Sequence, residues 1–161
     1  MATTTTTTTT TTPTNTAGLI QNYHHTFEID TSGGASTAKW AFLEEGIQTV
    51  SVEGNETVDQ TAYYSGDGFA SSDITGGQPI FTFEGHRYYG DTGQDYIAGL
   101  MYKYGTDRKT KFRTTDVNTG ETVTCDCTVA NIVCFGGDAP SKQTFSFEIH
   151  FNGQPTIGTA S

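Results

Sequence analysis

The chain has 161 residues, a length that suits one domain and can bury a core without a metal or disulfide staple. Its formal net charge is −10, which disfavours tight binding to nucleic acid and to anionic membranes. Hydrophobic residues make up 34% and charged residues 16%, and the heavy use of threonine and glycine favours strands and turns over helices. No apolar run reaches transmembrane length, and the N-terminus lacks a signal-peptide pattern, so we expect assembly in the cytoplasm.

The N-terminal segment is of low complexity, because every residue from Thr3 to Thr12 is threonine. Such a segment cannot bury apolar surface, and we therefore expect residues 1–17 to be a disordered arm and residues 18–161 to be a single domain. An alternative is that the arm becomes ordered against a neighbouring subunit.

The first predicted strand runs from Tyr23 to Asp30, where apolar and polar residues alternate with period two. This alternation places Phe27 and Ile29 on the face opposite Glu28 and Asp30. One face of this strand is therefore predicted to be buried and the other to face solvent.

A second short strand, Lys39 to Leu43, contains the only tryptophan, Trp40. From Glu44 to Pro79 the chain is polar and glycine-rich, with a brief strand only near Thr49 to Val52. A loop of this length within a compact domain is usually functional. Its large apolar residues need a partner surface, and they are Tyr63, Tyr64, Phe69 and Ile74.

The stretch from Phe81 to Gly105 begins as a strand and continues as the one convincing helix, at about residues 91–104. Asp91 precedes Gln94 at the spacing of an N-cap with its capping-box partner. Gly105 is expected to end the helix as a left-handed C-cap. Apolar side chains recur at helical spacing on one face: Tyr96, Ile97, Leu100, Met101 and Tyr104.

The remainder of the chain is predicted to be strands joined by turns. The strand Lys109 to Thr115 carries three basic side chains on one face, Lys109, Lys111 and Arg113. Val117 to Gly120 is a turn, and strands follow at Glu121 to Ala130 and at Gln143 to Phe151. Asn152-Gly153 is a hairpin signal before a last short strand. The predicted fold is mainly β, an antiparallel β-sandwich or barrel with one flanking helix and a long extended loop.

The cysteines do not form a metal site in this interpretation. Cys125, Cys127 and Cys134 are odd in number, which favours free thiols, and the paired spacing of a zinc site is absent. His24 and His25 point to opposite faces of a strand and cannot share a metal ion. We predict small buried cysteines and neither a metal nor a cofactor.

The sequence gives little support to catalysis. Asp67, Gly68 and Asp73 are interpreted as turn residues, because the residue order of an EF-hand is absent. No G-x-S-x-G elbow is present, and nothing points to a carboxylate pair for glycoside hydrolysis, although such a pair stays open. We predict a protein that is not an enzyme.

Four stretches form a pattern in their order and spacing: Y-Y-S-G-D-G-F-A-S-S-D-I-T-G-G (63–77), F-T-F-E-G-H-R-Y-Y-G-D-T-G-Q-D-Y-I (81–97), N-I-V-C-F-G-G-D-A (131–139) and F-S-F-E-I-H-F-N-G (145–153). Together they resemble the major tail proteins, or tail tube proteins, of long-tailed phages, especially those of Gram-positive hosts. The resemblance extends from about Ile20 to Ile157. It implies a β-sandwich whose copies close into hexameric rings, which stack into a tube through which double-stranded DNA passes without specific binding.

The resemblance also implies partners and surfaces. The partners are further copies of the chain and the tape measure, tail terminator and distal tail proteins, and the location is the virion tail. The long loop is expected to reach a neighbouring subunit through Tyr63, Tyr64, Phe69 and Ile74. The lumen candidates are Glu28, Asp30, Glu84 and Glu148. We expect the basic residues Lys109, Lys111 and Arg113 to lie elsewhere, at ring contacts.

A different class of function remains open from the sequence. A monomeric β-sandwich could bind a carbohydrate or a surface receptor through Trp40 and the loop tyrosines. A secretion-system tube protein of the same fold is a further variant.

Overall fold

The computed structural model describes residues 16–159, and in them the chain is mainly antiparallel β with one α-helix, as predicted. The N-terminal segment that the sequence predicts to be disordered, residues 1–17, lies outside the described residues except for its last two. The strands are β1 (His25–Asp30), β2 (Trp40–Phe42), β3 (Ile47–Glu53), β4 (Thr57–Ala62), β5 (Ala70–Gly76), β6 (Ile80–His86), β7 (Lys109–Asp116), β8 (Glu121–Val133), β9 (Thr144–Phe151) and β10 (Thr156–Thr159). The helix α1 is Thr92–Gly99, and short 3-10 turns lie at Asn22–His24, Tyr64–Gly66 and Gly105–Arg108. No helix within residues 16–159 is long and apolar enough to cross a membrane.

The main sheet has the strand order β2-β1-β7-β8-β9-β6-β3, with β10 paired to β8, and every pairing is antiparallel. The sheet curls strongly. Three strands separate β1 from β6, yet the ring of Phe27 lies 5.2 Å from that of Phe83 and 6.3 Å from that of Phe81. The fold is therefore sandwich-like, and β1 and β3 face each other without pairing.

The core lies on the concave face of this sheet. Alternation in β9 buries every second residue, and Phe147 stacks on Phe83 with ring centroids 4.7 Å apart. The helix covers one side of the core with Ile97 and Leu100. The largest fully buried side chains are Phe83, Phe112, Phe145, Phe147, Ile29, Leu43, Ile97 and Ile149.

The helix begins where the sequence predicts. The side chain of Asp91 accepts a hydrogen bond from the backbone N–H of Gln94 at 3.0 Å. The Gln94 side chain, however, turns into the interior and bonds Glu45, His86, Arg87 and Tyr88, so the expected reciprocal capping box is not formed.

The prediction that the helix continues to residue 104 is wrong, because it ends at Gly99. After Gly99 the backbone tightens into i→i+3 hydrogen bonds. The guanidinium group of Arg108 donates to the carbonyl oxygens of Met101 and Lys103, at 2.9 and 2.7 Å. These bonds stabilise the turn that follows α1, and Gly105 begins a separate 3-10 turn.

The prediction of a hairpin at Asn152-Gly153 is also wrong. Both β9 and β10 pair antiparallel with β8, and the chain continues in one direction past this dipeptide. The N–H of Asn152 donates to Asp126 and its amide nitrogen donates to Thr128, at 2.8 and 2.7 Å. Asn152-Gly153 is therefore part of a bulge between two collinear strands.

Candidate assembly surfaces

The predicted long loop, Glu44 to Pro79, is largely strand. Its first part is β3, which pairs with β6 over its whole length. Its second part is a separate hairpin of β4 and β5, which we call the arm (Thr57–Gly76). The arm makes its own ladder but buries almost nothing, since only Thr61 in its two strands is even half-buried.

The arm exposes large apolar side chains, including all four that the sequence singled out. Tyr64 is fully exposed at the tip, and Phe69 is 81% exposed. The sequence interpretation did not single out Val58. The hairpin register places this residue opposite Ile74, so the two side chains belong to the same exposed set. The exposed set is Val58, Tyr63, Tyr64, Phe69 and Ile74.

The arm region is also uniformly acidic. Residues 44–79 contain no Lys or Arg, and their seven acidic residues are Glu44, Glu45, Glu53, Glu56, Asp59, Asp67 and Asp73. None of these carboxylates forms an ion pair within the described residues. The arm region therefore carries a concentrated negative charge.

Asp30, one of the four lumen candidates, is fully buried. Its carboxylate accepts hydrogen bonds from Ser32 N–H and Oγ–H, from Gly34 N–H and from Lys39 N–H, at 2.6–3.2 Å. Burial by itself raises the pKa of Asp30, but these four hydrogen bonds outweigh it and lower the pKa below its ordinary value. Asp30 organises the loop between β1 and β2 and presents no charge at the subunit surface.

Glu28 is nearly buried and is neutralised by a neighbour. Its Oε2 lies 2.6 Å from Nε of Arg113, its cross-strand partner on β7. The same guanidinium lies 4.3 Å from the ring centroid of Trp40. The expectation that the basic residues lie away from the lumen candidates is thus wrong for Arg113, because strand register sets it beside Glu28.

Glu84 and Glu148 lie on the outer face of β6 and β9, and the register places Thr82 opposite Glu148 and Ser146 opposite Glu84. Glu84 is exposed. The Oε2 atom of Glu148 lies 2.8 Å from both His150 Nε2 and Asn131 Nδ2, and these hydrogen bonds lower the pKa of its carboxyl. The lowered pKa keeps the Glu148 carboxyl ionised at neutral pH.

Lys109 and Lys111 lie on the outer face of β7. Neither ammonium group has a carboxylate within 4.0 Å among the described residues. Lys109 lies opposite Thr128 and Lys111 opposite Asp126 on β8, so neither is held by a close ion pair as Arg113 is by Glu28.

The cysteines are buried, as the sequence predicted for Cys125 and Cys127. Burial raises the pKa of the Cys127 thiol to about 12. Within the described residues no group of three His, Cys, Asp or Glu side chains is placed to hold a metal ion.

Gln94 is a positioning residue that the sequence interpretation assigned only to helix capping. Its buried amide nitrogen donates to the carbonyls of Glu45 and His86, and its Oε1 accepts from Tyr88 N–H at 2.8 Å. It thereby fastens α1 to the chain entering β3 and to the end of β6, the two strands that frame the arm. No sequence pattern encodes the close approach of these three loops, so this role of Gln94 is visible only in the structure.

No protein-family profile and no curated protein matches the chain. Solved structures do. A chain from the tail of an empty gene transfer agent particle, refined with C6 symmetry, matches with a TM-score of 0.71 at 12% identity, over 88% of this chain and 100% of that one. The chain has the fold of that tail protein. A chain from the native gene transfer agent virion matches with a TM-score of 0.66 at 10% identity, over 88% and 100% of the two chains.

A third match comes from the sheath/tube terminator structure of an extracellular contractile injection system. Its TM-score is 0.54 at 13% identity, over 89% of this chain and 99% of that one. These neighbours are structural components of tails and are not enzymes.

Proposed function

We propose that this chain is a tail-tube subunit, whose copies close into six-membered rings that stack into a tube for DNA. The similarity to a tail protein solved with C6 symmetry supports this, because it spans the whole of that chain. In this proposal the location is the virion tail, with assembly in the host cytoplasm.

The observation that carries the proposal is the exposed arm. A two-stranded hairpin is marginally stable alone in water, and this one buries almost none of its own apolar side chains. Contiguous exposed apolar surface marks an interaction site. In a ring of identical subunits each arm meets the same surface of its neighbour, so one interface satisfies every arm.

The charges select the surface that receives the arm. The arm region has seven carboxylates and no basic residue, whereas Lys109 and Lys111 are basic residues without an ion pair among the described residues. Opposite charges at an interface favour the correct register and reject wrong ones. We therefore place the arm of one subunit against the outer face of β7 in the next.

The lumen lining in this proposal is Glu84 and Glu148. They lie on the outer face of the neighbouring strands β6 and β9, Glu84 is exposed, and hydrogen bonds lower the pKa of Glu148. Like charge keeps DNA from adhering, since each exposed Lys or Arg would instead bind a phosphate. Asp30 is omitted because it is buried, and Glu28 because Arg113 neutralises it.

The proposed partners beyond further copies of the chain are a tape measure protein inside the tube and terminator and distal tail proteins at its ends. The terminator and distal tail proteins would each bind the ring surface that the next ring binds elsewhere in the tube.

Deletion of the arm tests the proposed function. Gly54 and Gly77 lie close together, since a Cβ atom on Gly77 would be 3.2 Å from the Gly54 carbonyl oxygen. Replacing Thr57–Gly76 by two glycines should therefore leave a folded subunit. We expect negative-stain images of the wild type at high concentration to show rings or tubes, and of the variant to show neither.

A charge exchange serves as the matched control. Asp59→Lys with Asp73→Lys should abolish assembly, and adding Lys109→Glu with Lys111→Glu should restore it. Tubes formed by the arm-deleted variant would contradict the role of the arm. A wild type that stays monomeric at every concentration and binds a glycan would instead favour the carbohydrate-binding alternative.

A further inference from the structure

The curled sheet leaves a cleft where β1 and β3 fail to pair. The cleft has a volume of about 770 Å³. Tyr23, His25 and Phe27 line one side, Val50 and Val52 line the other, and Phe81 is also part of the lining. Leu43 and Glu44, which lead from β2 toward β3, lie at one end.

The wall formed by β3 has a backbone edge without a strand partner, since among the described residues β3 pairs only with β6. The facing edge of β1 is mostly covered, because β2 pairs with Glu28–Asp30 and the N–H of Leu43 donates to the Phe27 carbonyl at 2.8 Å. The apolar lining is incompletely covered as well, since Val52 is 59% exposed although it pairs with Phe81 on the core side of the sheet. An unpaired edge beside exposed apolar side chains is a template for an added strand.

The position of Thr16 fixes where the N-terminal segment leaves the folded body. Its N–H donates to Asn118 Oδ1 at 2.8 Å, and its carbonyl accepts from Asn118 Nδ2 at 3.3 Å. Asn118 lies in the turn between β7 and β8. Because β7 pairs with one edge of β1 and the cleft lies at the other, Thr16 lies on the β7 side of β1.

We infer that the threonine tract, Thr3–Thr12, of one subunit adds as a β-strand in the cleft between β1 and β3 of a neighbouring subunit. The inference rests on the proposed assembly into rings. The fifteen residues before Thr16 can span at most about 50 Å when extended, which is ample for a neighbour. Docking adds a strand to the free edge of β3.

The chemistry of the tract fits this site. Threonine is β-branched and favours extended backbone, and its methyl group can face Val52 and Phe81 while alternate hydroxyl groups face water. Ten extended residues are about 33 Å long, and the seven residues of β3 about 23 Å. Since all ten side chains are identical, a slip of one residue presents the same groups, so the strand needs no unique register.

Charge favours the tract over the arm as the occupant of the cleft. Glu44 lies in the cleft wall, and the arm carries only acidic charges. An arm placed there would bring like charges together, whereas the threonine tract is neutral. The two elements therefore have separate docking surfaces on the neighbouring subunit.

Disulfide cross-linking of the full-length protein tests the inference. Val52→Cys is combined with cysteine at Thr6, Thr7 or Thr8 in turn, and assembled protein is oxidised and run on a denaturing gel. The native cysteines are buried and serve as the background in the wild type. We expect covalent dimers and higher multimers at similar yield from all three pairs, because the register is free.

A second pair of variants tests whether the tract binds through backbone hydrogen bonds of a strand or only through side-chain contact. Proline at Thr4, Thr6, Thr8 and Thr10 removes backbone donors, and we expect it to raise the critical concentration for assembly by about tenfold or more. Valine at the same four positions keeps the β-branched shape and should leave that concentration within about twofold.

The outcomes separate the two proposals. A cross-linked monomer would overturn the assignment to a neighbour, and tubes that form without any cross-link would overturn the strand addition while the tube function stands. Equal assembly of the proline and valine variants would also overturn it. A wild type that forms neither rings nor tubes would instead overturn the proposed function.

Discussion

Strands β9 and β5 are both β-strands, but they differ in how much of each is buried in the subunit. β9 lies between β6 and β8, and every second residue in it is buried. Within residues 16–159, β5 pairs only with β4, and all seven of its residues are exposed. Hydrogen-bonded pairing alone therefore does not make a strand part of the core. β9 is stabilised within the subunit, and we expect β5 to be stabilised by a second one.

The largest expected difference is between a core phenylalanine and an arm phenylalanine. Phe147→Ala should lower the free energy of unfolding by about 3–5 kcal/mol, because the ring is buried against Phe83 and leaves a cavity. Phe69→Ala should change it by less than about 0.5 kcal/mol, because that ring is exposed. Urea unfolding of dissociated subunits measures both. A large loss for Phe69→Ala would mean that the arm packs on its own subunit.

A smaller difference is expected between a buried and an exposed carboxylate. Asp30→Asn should cost roughly 1–3 kcal/mol at neutral pH, because the carboxylate accepts four hydrogen bonds inside the fold. The folded-state pKa of Asp30 lies below 3.8, so its contribution is fully present above about pH 5 and is lost as the pH falls through the folded pKa.

Acid titration of stability checks the Asp30 prediction. The wild type should lose stability more steeply than Asp30→Asn as the pH falls below 5. The exposed arm supplies the control Asp73→Asn, which should unfold like the wild type at pH 7. Identical acid profiles for wild type and Asp30→Asn would contradict the predicted role.

The smallest expected change in stability comes from a cysteine placed on the arm, whose reactivity can be compared with that of Cys127 in the core. Cys127 has a pKa raised from the ordinary 9.0 to about 12, so at pH 8 its thiolate fraction is about a thousandfold below that of an ordinary cysteine. Ser71→Cys on the arm should leave stability unchanged and react readily with a thiol reagent.

Mass spectrometry after brief labelling at pH 8 counts the modified thiols. We expect one label on Ser71→Cys and none on the native cysteines until the protein is denatured. Labelling of Cys127 in the folded protein would contradict its burial.

Local patterns predicted the main-sheet strands well. Alternation in 145–151 and the cap at Asp91 depend on neighbours in sequence, and both appear where expected. The ends of elements depended on distant groups. Arg108 binds the carbonyls of Met101 and Lys103 in the turn that follows α1, and pairing with β8 carries the chain straight past Asn152. Neither contact leaves a trace in the local sequence.

The candidate surfaces divide in the same way. The apolar residues of the arm were identified from composition, since a run without core periodicity still carried tyrosine and phenylalanine. The acidic candidates were not resolved, because alternation alone assigns Glu28, Asp30 and Glu148 to outer faces without distinguishing their surroundings. Register brings Arg113 to Glu28, and the loop after β1 closes over Asp30.

The sequence by itself determined the strand-rich class, the acidic balance and which side chains in each strand share a face, because these follow from composition and from the period of two. Tertiary structure decided which of those faces are covered. Curling of the sheet buries one face against α1, leaves the cleft between β1 and β3 open, and sets the arm apart as a hairpin that the described part of its own subunit does not cover. Coverage depends on contacts between residues far apart in the chain, and a local pattern cannot specify it.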